Sequence, residues 1–355
     1  MPDSTPAQLD SPPPEAAVGQ EPASDIGQAP ASDVVQADLA GNPPPRRWRL
    51  GRRRVLLPAL LFLLTCASTF FAGATGWMPN QFILFNGPAD LYQADFLLSA
   101  RLAVLQNWPD GLLYMGCIVG ILLTHEMGHF VMTVVHRVRA SLPFFVPFPI
   151  SPLGTLGAVI GMDGSRANRR QMFDIGLAGP LAGLVVAIPI IWIGVARLDL
   201  KHAPPAEWAL ELPLAMRLLV DRFHPGEYNP AVGVPFSALN PYLMAGWVGL
   251  LVTALNMMPV SQLDGGHVTY TLFGRAAHWV ARLFMLAVFI YLGVTTIYYH
   301  QMPFWLLMAL LVLVMGTDHP PTADDEMPLG TFRTVLGWAS LLIPVFCFTP
   351  NPFRM

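Results

Sequence analysis

The chain has 355 residues, of which 54% are hydrophobic and only 12% are charged. Soluble domains carry roughly 25% charged residues, so this composition excludes an ordinary soluble enzyme and predicts a protein that crosses the lipid bilayer several times. The net charge of −3 gives no basis for a nucleic-acid partner.

The N-terminal 54 residues differ in composition from the rest of the chain. Residues 1–45 contain seven acidic residues, no Lys or Arg and no aromatic residue. Such a segment cannot bury enough apolar surface to become ordered. The sequence RRWRLGRRR follows at 46–54, and basic residues beside a span mark the cytoplasmic side. We therefore predict a disordered cytoplasmic tail over 1–54, ending in this arginine cluster, and a multi-pass membrane domain over 55–350.

Seven apolar runs approach the length of about 20 residues with which a helix crosses the bilayer. They cover residues 55–75, 111–135, 172–195, 241–262, 279–299, 303–316 and 330–349. The sixth run is short and is either a poorly tilted span or a half-span. The sequence therefore predicts an all-α polytopic membrane protein with about six to seven transmembrane helices.

The segment 141–164 interrupts this helical pattern after the second run. It contains four prolines from Pro143 to Pro152, followed by Gly154 and Gly157. Proline removes backbone donors and prevents a continuous helix. Because non-helical backbone at membrane depth must be buried in protein or line a cavity, we predict a re-entrant hairpin beside an active site. A plain cytoplasmic loop is the alternative.

Two histidines and a glutamate lie inside the second apolar run. His125, Glu126 and His129 are its only acidic or basic side chains between Gly111 and Val135. Such groups are costly in hydrocarbon and therefore indicate a functional site. In the pattern HExxH, two histidines on one helix face bind zinc and the glutamate acts as general base. The alternative is a polar cluster whose members satisfy one another within the helix.

A catalytic zinc site usually takes three protein ligands and leaves a fourth position for water. Asp264 follows the apolar run 241–262 at its cytoplasmic end, at a predicted depth that matches the two histidines, so we predict it as the third ligand of one zinc ion per chain. His267 and His136 are the alternatives. Asn256, in the same run, either donates a hydrogen bond to a developing oxyanion or links two helices.

The motifs HEMGH at 125–129 and NMMPVSQLDGG at 256–266 together resemble the site-2 protease family of intramembrane zinc metalloproteases. The sequence GLAGPLAG at 176–183 is similar to a glycine-proline motif of that family, and its small residues also favour close helix packing. The sequence DHPPTADDEMPLG at 318–330 is similar to a bacterial and plastid branch. The resemblance covers about residues 110–330, the expected core.

The resemblance implies that His125, His129 and Asp264 hold the zinc and that Glu126 activates the water. It further implies regulated proteolysis of membrane-anchored protein substrates, within or near their transmembrane segments. The expected location is a bacterial inner membrane, with the active site near the cytoplasmic side. Many members carry a PDZ domain, but the loop 197–240 has about 44 residues, too few for one.

Two other classes of protein share parts of this pattern. Intramembrane His, Glu and Asp also mark ion pathways, so a zinc or ion transporter is the main alternative. A catalytically inactive scaffold that binds membrane segments is the other. The role of Glu126 distinguishes a transporter from a protease. A transporter could use Glu126 as a metal ligand, whereas a protease needs its carboxylate free of the metal.

Overall fold

The structure is a computed structural model and describes six stretches of the chain, residues 52–79, 94–162, 164–204, 206–260, 262–299 and 305–354. The predicted tail, except for its last three residues, lies outside the described residues. The α-helices are, in chain order, α1 (Arg52–Ala74), α2 (Ala94–Val135), α3 (Arg169–Ala196), α4 (Leu214–Phe223), α5 (Pro241–Asn256), α6 (Asp264–Phe273), α7 (Ala277–Tyr298), α8 (Leu306–Met315), α9 (Thr331–Ser340) and α10 (Ile343–Cys347). The predicted helical character of the chain is confirmed.

Four helical segments of the described part are long and apolar enough to cross a membrane. They are Val55–Ala74, Ala100–Val135, Arg169–Ala196 and Asp264–Tyr298. They correspond to the first, second, third and fifth predicted spans. The last of them joins α6 to α7 through a short 3₁₀ turn at Gly274–Ala276.

The other predicted spans are shorter helices. α5 has 16 residues and ends three residues before Pro259, which cannot continue a helix. α8 has 10 residues. The run 330–349 is divided into α9 and α10, and Pro344 lies at the start of α10. The predicted total of six to seven spans is therefore confirmed only for four helices, and the further spans stay a prediction.

Helix α2 is longer than the span predicted over 111–135 and is kinked. Asn107 has φ −112° and ψ 18°, outside the helical region, and Pro109 follows two residues later. A proline removes a helical hydrogen bond and clashes with the preceding turn, which accounts for the kink. The regular part of α2 after the kink carries the HExxH sequence.

The proline-rich segment after α2 forms a β-hairpin. Strands β1 (Phe144–Phe148) and β2 (Gly154–Val159) pair antiparallel. The hairpin packs against α1 and α2, and the Tyr114 hydroxyl of α2 donates a hydrogen bond to Leu153 O at 2.9 Å. The predicted hairpin is present, and its entry into the membrane stays a prediction.

A small sheet that the sequence did not predict lies in the loop 197–240. Strand β3 (Ala209–Leu210) pairs antiparallel with both β4 (Val234–Pro235) and β5 (Phe353–Arg354). The carboxylate of the buried Glu211 accepts hydrogen bonds from the Arg354 guanidinium at 2.7 and 3.0 Å. The chain near residue 354 is thereby fixed to this loop.

Helix α3 lies at the centre of the packing that positions the site. It packs against α2, α5 and α6, while α1 packs against α2 and the hairpin. Tyr114 of α2, Phe173 of α3 and Trp247 of α5 are among the largest fully buried side chains of the described chain. Outward-facing apolar residues such as Val185, which is 70% exposed, suit contact with lipid.

Candidate metal centre

His125 and His129 lie one turn apart on α2, and their side chains point to the same side of the helix. Both residues are buried, with exposed fractions of 2% and 8%. Their ring centroids are 5.0 Å apart. The four-residue spacing accounts for this arrangement, since residues i and i+4 are neighbours on a helix surface.

Asp264, the first residue of α6, lies against both histidines. Its Oδ2 is 3.2 Å from His125 Nε2, and its Oδ1 is 3.3 Å from His129 Nε2. The ligand atoms of the three residues all lie within 4.8 Å of one another. Two imidazoles and one carboxylate that converge in this way can hold a metal ion and leave a fourth position for water.

The surroundings of His129 also fit a metal site. Its Nδ1 lies 2.7 Å from the carbonyl oxygen of Ile175 on α3. When Nδ1 carries the proton, it donates a hydrogen bond to this carbonyl, and the lone pair of Nε2 is then free to bind a metal. The donor set of two nitrogens and one oxygen suits zinc, so the residues present fit the ion that the sequence predicts.

Glu126 lies beside this group without belonging to it. Its side chain is buried, with an exposed fraction of 3%. Its carboxyl group interacts electrostatically with His125, His129 and Asp264. Among the residues that the structure describes, the metal-binding group consists of those three residues and does not include Glu126. A carboxyl group in this position can exchange a proton with a water molecule at the metal.

Asn256 ends α5 at the same site. Its side-chain nitrogen Nδ2 lies 3.2 Å from His125 Nε2. The contact joins α5 to α2, as expected for an interhelical hydrogen bond, and also brings an amide donor to the candidate metal position. The role of Asn256 as an oxyanion donor stays a prediction.

The two alternative ligands have other partners. His267 Nδ1 lies 2.6 Å from His319 Nε2, and His136 Nε2 lies 3.1 Å from Asp174 Oδ2. Neither histidine belongs to the three-residue group within the described chain. The geometry therefore favours Asp264 over both as the third ligand.

The glycines of GLAGPLAG have a role that sequence reasoning missed. The close packing predicted for them is present, since a Cβ added to Gly128 of α2 would lie only 2.6 Å from Ala178 O of α3. In addition, a Cβ at Gly179 would overlap His129 Nε2, and one at Gly183 would lie 3.1 Å from His125 Nδ1. The two glycines make room for the imidazoles. Their four-residue spacing, the same as that of the histidines, was the available signal.

Gly179→Ala is expected to lose most of the bound metal. The added methyl group overlaps the ligand atom of His129, so the ring must leave its position or the two helices must separate. The measurement is metal per chain by mass spectrometry, together with the thermal unfolding temperature. Gly120→Ala on α2 is the matched control, because no atom lies within 4 Å of a Cβ placed there. Metal affinity equal to that of the wild type in Gly179→Ala would contradict this geometry.

Comparison with known proteins agrees with the geometry of the site. Residues 113–299, more than half of the chain, match Peptidase family M50. The matched region contains His125, His129 and Asp264.

Several plant proteins are similar over most of the chain. "Probable zinc metalloprotease EGY1, chloroplastic" from Arabidopsis thaliana is 30% identical over 308 residues, which cover 83% of this chain and 53% of that protein. The protein of the same name from Oryza sativa subsp. japonica is 33% identical over 82% of this chain and 49% of its own length. "Probable zinc metalloprotease EGY2, chloroplastic" from Arabidopsis thaliana is 26% identical over 81% of this chain and 50% of its own length. The chain spans about half the length of these relatives. With its family match and its four apolar helices, the chain is a membrane protein that belongs to Peptidase family M50, the site-2 protease family.

Proposed function

We propose that the protein is a zinc metalloprotease that hydrolyses a peptide bond of membrane-anchored protein substrates, within or near their transmembrane segments, as a step of regulated proteolysis. The observation that carries the proposal is the convergence of His125, His129 and Asp264 from two helices, with ligand atoms within 4.8 Å of one another. The buried Glu126 beside them supplies the acid-base group that hydrolysis requires. Membership of a peptidase family and the printed names of the relatives support the same activity.

The position of Glu126 favours a protease over an ion carrier. A carrier would gain from a fourth protein ligand, whereas hydrolysis needs an open position for water and a carboxylate that is not bound to the metal. Glu126 lies outside the three-residue ligand group of the described chain, which supports the hydrolytic alternative. The presence of all four residues also disfavours an inactive scaffold.

In the proposed mechanism each residue has one task. His125, His129 and Asp264 would hold the zinc ion, which when bound would lower the pKa of a water molecule toward ~7 and polarise the scissile carbonyl group. Glu126 takes a proton from the attacking water and gives it to the leaving amine nitrogen, first as base and then as acid. Asn256 donates a hydrogen bond to the carbonyl oxygen as negative charge develops there.

The location of the protein is proposed from the relatives. The similar plant proteins are designated chloroplastic, so the comparisons do not support the bacterial inner membrane predicted from the sequence. A plastid membrane is the location that their names favour. The cytoplasmic N-terminus and the active site near the cytoplasmic side stay predictions that rest on the arginine distribution.

Removal of the metal tests the proposed function directly. Purified protein in detergent is incubated with single-span model peptides that carry Gly and Asn in the middle of the span, where the helix unwinds most readily. We expect 1,10-phenanthroline to lower the cleavage rate about 100-fold or more, since metal-ion catalysis is worth several kcal/mol. Added zinc should restore the rate. Unchanged cleavage after verified removal of the metal would contradict the proposal.

A further inference from the structure

A segment without helix or strand, residues 317–330, crosses the helix that carries Asp264. We call this segment the strap. Backbone bonds fix it to the turn before α3, with Ala323 N donating to Ala167 O at 2.9 Å and Arg169 N donating to Asp324 O at 3.2 Å. At its beginning, Asp318 forms an ion pair with Arg282 of α7 at 2.9 Å. The strap is therefore attached to α7 at its beginning and to the turn before α3 farther along.

The strap makes its closest contacts with α6 through His319. The imidazole of His319 is buried, with an exposed fraction of 5% for the residue. Its Nε2 lies 2.6 Å from Nδ1 of His267, and its ring stacks on Tyr270 with centroids 4.4 Å apart and planes inclined by 16°. The carbonyl oxygen of His319 faces His278 Nε2 at 3.2 Å. Farther along the strap, Asp325 Oδ2 accepts a hydrogen bond from the Tyr270 hydroxyl at 2.8 Å.

These contacts bear on Asp264 because α6 is short. A helix of 10 residues has little stability by itself, so its orientation is set by what packs around it. His267 lies three residues after Asp264, less than one turn away, and its N–H bonds to Leu263 O at 2.9 Å. Any rotation or shift of the first turn of α6 therefore moves both residues together.

Apart from the Asp264 carboxylate, which faces the two histidines of α2, the described neighbours of the first turn of α6 also include two close packing contacts. Gly265 lies directly against the backbone of Met257, and a Cβ at Gly176 of α3 would lie 2.9 Å from the Cβ of His267. Close packing of this kind fixes the distance of α6 from its neighbours. The hydrogen bond between His267 and His319 supplies a directional restraint on this turn.

We propose that His319 is a positioning residue for Asp264, and that it acts through His267 to hold the carboxylate in the orientation that binds the metal. The inference rests on the metal-dependent function proposed above. Groups outside the ligand set that orient metal ligands typically contribute 10- to 100-fold to metal affinity. His319 contacts His267 and not Asp264 itself, so we expect its loss to lower zinc affinity by a factor at the lower end of that range.

The test compares His319→Ala, His319→Gln and Asp318→Asn in the full-length protein in detergent. Zinc affinity is measured by competition with a chelator, and the ligand geometry is measured from the visible absorption of cobalt-substituted protein. We expect His319→Ala to bind zinc about 10-fold more weakly and to show an altered cobalt spectrum. His319→Gln, whose amide can still bond to His267, should recover most of the affinity.

Asp318→Asn is the matched control on the neighbouring residue. Its side chain is 53% exposed, and its hydrogen bonds with Arg282 hold the pKa of Asp318 below its ordinary value. The substitution weakens the attachment of the strap without touching His319, so zinc affinity should stay within about twofold of the wild type, as expected for an exposed ion pair. An equal loss of affinity in this variant would overturn the inference, since any loosening of the strap would then suffice.

Two further results bear on the proposal. Wild-type zinc affinity in His319→Ala would overturn it while leaving the proposed function intact, whereas a wild-type protein that binds no zinc would overturn both. If His319→Ala does not fold, a double-mutant cycle with His267→Leu and His319→Leu, each of which removes the hydrogen bond, replaces it. Losses that are not additive support a shared contact, and additive losses contradict it.

Discussion

Glu126→Gln is expected to bind zinc as the wild type does and to hydrolyse substrate about 10²- to 10⁴-fold more slowly, the usual contribution of a general base. The amide has nearly the same shape as the carboxyl group but cannot accept a proton from water. Glu126 lies outside the group of candidate ligands, so its replacement removes no donor to the metal. The two measurements are zinc per chain and the cleavage rate of a single-span peptide.

Thr124→Val is the control for this prediction. Thr124 lies on the same turn of α2, and its hydroxyl donates a hydrogen bond to Gly120 O at 2.8 Å within the helix. Its loss removes a local bond and no group of the site, so cleavage should stay close to the wild-type rate. If Glu126→Gln kept full activity, Glu126 would have no part in the mechanism. If it lost zinc while keeping its fold, Glu126 would be a ligand, a role that the ion-carrier alternative allows.

Asp264→Ala should reduce bound zinc from about one ion per chain to a small fraction, and cleavage should be lost with it. The substitution removes one of three donors and leaves the buried imidazoles of His125 and His129 without the carboxylate that they face at 3.2 and 3.3 Å. Two protein ligands rarely hold a catalytic zinc ion, because three are needed to fix its geometry. Metal analysis of protein purified with excess zinc checks this.

His267→Gln is the appropriate comparison for Asp264→Ala. His267 belongs to the same helix but bonds to His319, so the variant should still bind one zinc ion when zinc is saturating. The opposite result, with zinc retained in Asp264→Ala and lost in His267→Gln, would make His267 the third ligand. Circular dichroism of both variants separates loss of metal from loss of fold.

The arrangement of charges explains why this site tolerates its membrane environment. Histidine, glutamate and aspartate side chains in an apolar helix are costly unless they pair with one another. Here two histidines contact one aspartate, and the Ile175 carbonyl accepts from His129. The candidate metal ligands thus also satisfy one another.

Much of the candidate site could be predicted from the sequence because its signals are local. The spacing of His125 and His129 requires only helical geometry to place both rings on one face. Asp264 was identifiable as an acid at the end of an apolar run, and the structure brings it to the histidines across 139 residues of chain. Its competitor, His267, lies only three residues away, and sequence reasoning could not exclude it.

Other features were not predicted, although only some of them depend on contacts between distant segments. The division of the run 330–349 follows from Pro344, and the early end of α5 follows from the approach to Pro259. Both positions were visible in the sequence, but hydropathy averaged over a window conceals them. The sheet formed by β3, β4 and β5 joins residues 209 and 354, and strands of two residues leave no pattern of alternation to detect.

By itself, the sequence determined the apolar helical class, the HExxH motif and the family that its motifs resemble, and it offered Asp264 as the first of three candidate third ligands. These properties depend on composition and on residue spacing within single segments, so no knowledge of packing is needed. Only the tertiary structure decided that Gly179 and Gly183 face the imidazoles, that His267 turns to His319, and that the strap lies across α6. Those relations depend on the rotation and separation of helices, which are set by close packing of side chains far apart in the sequence.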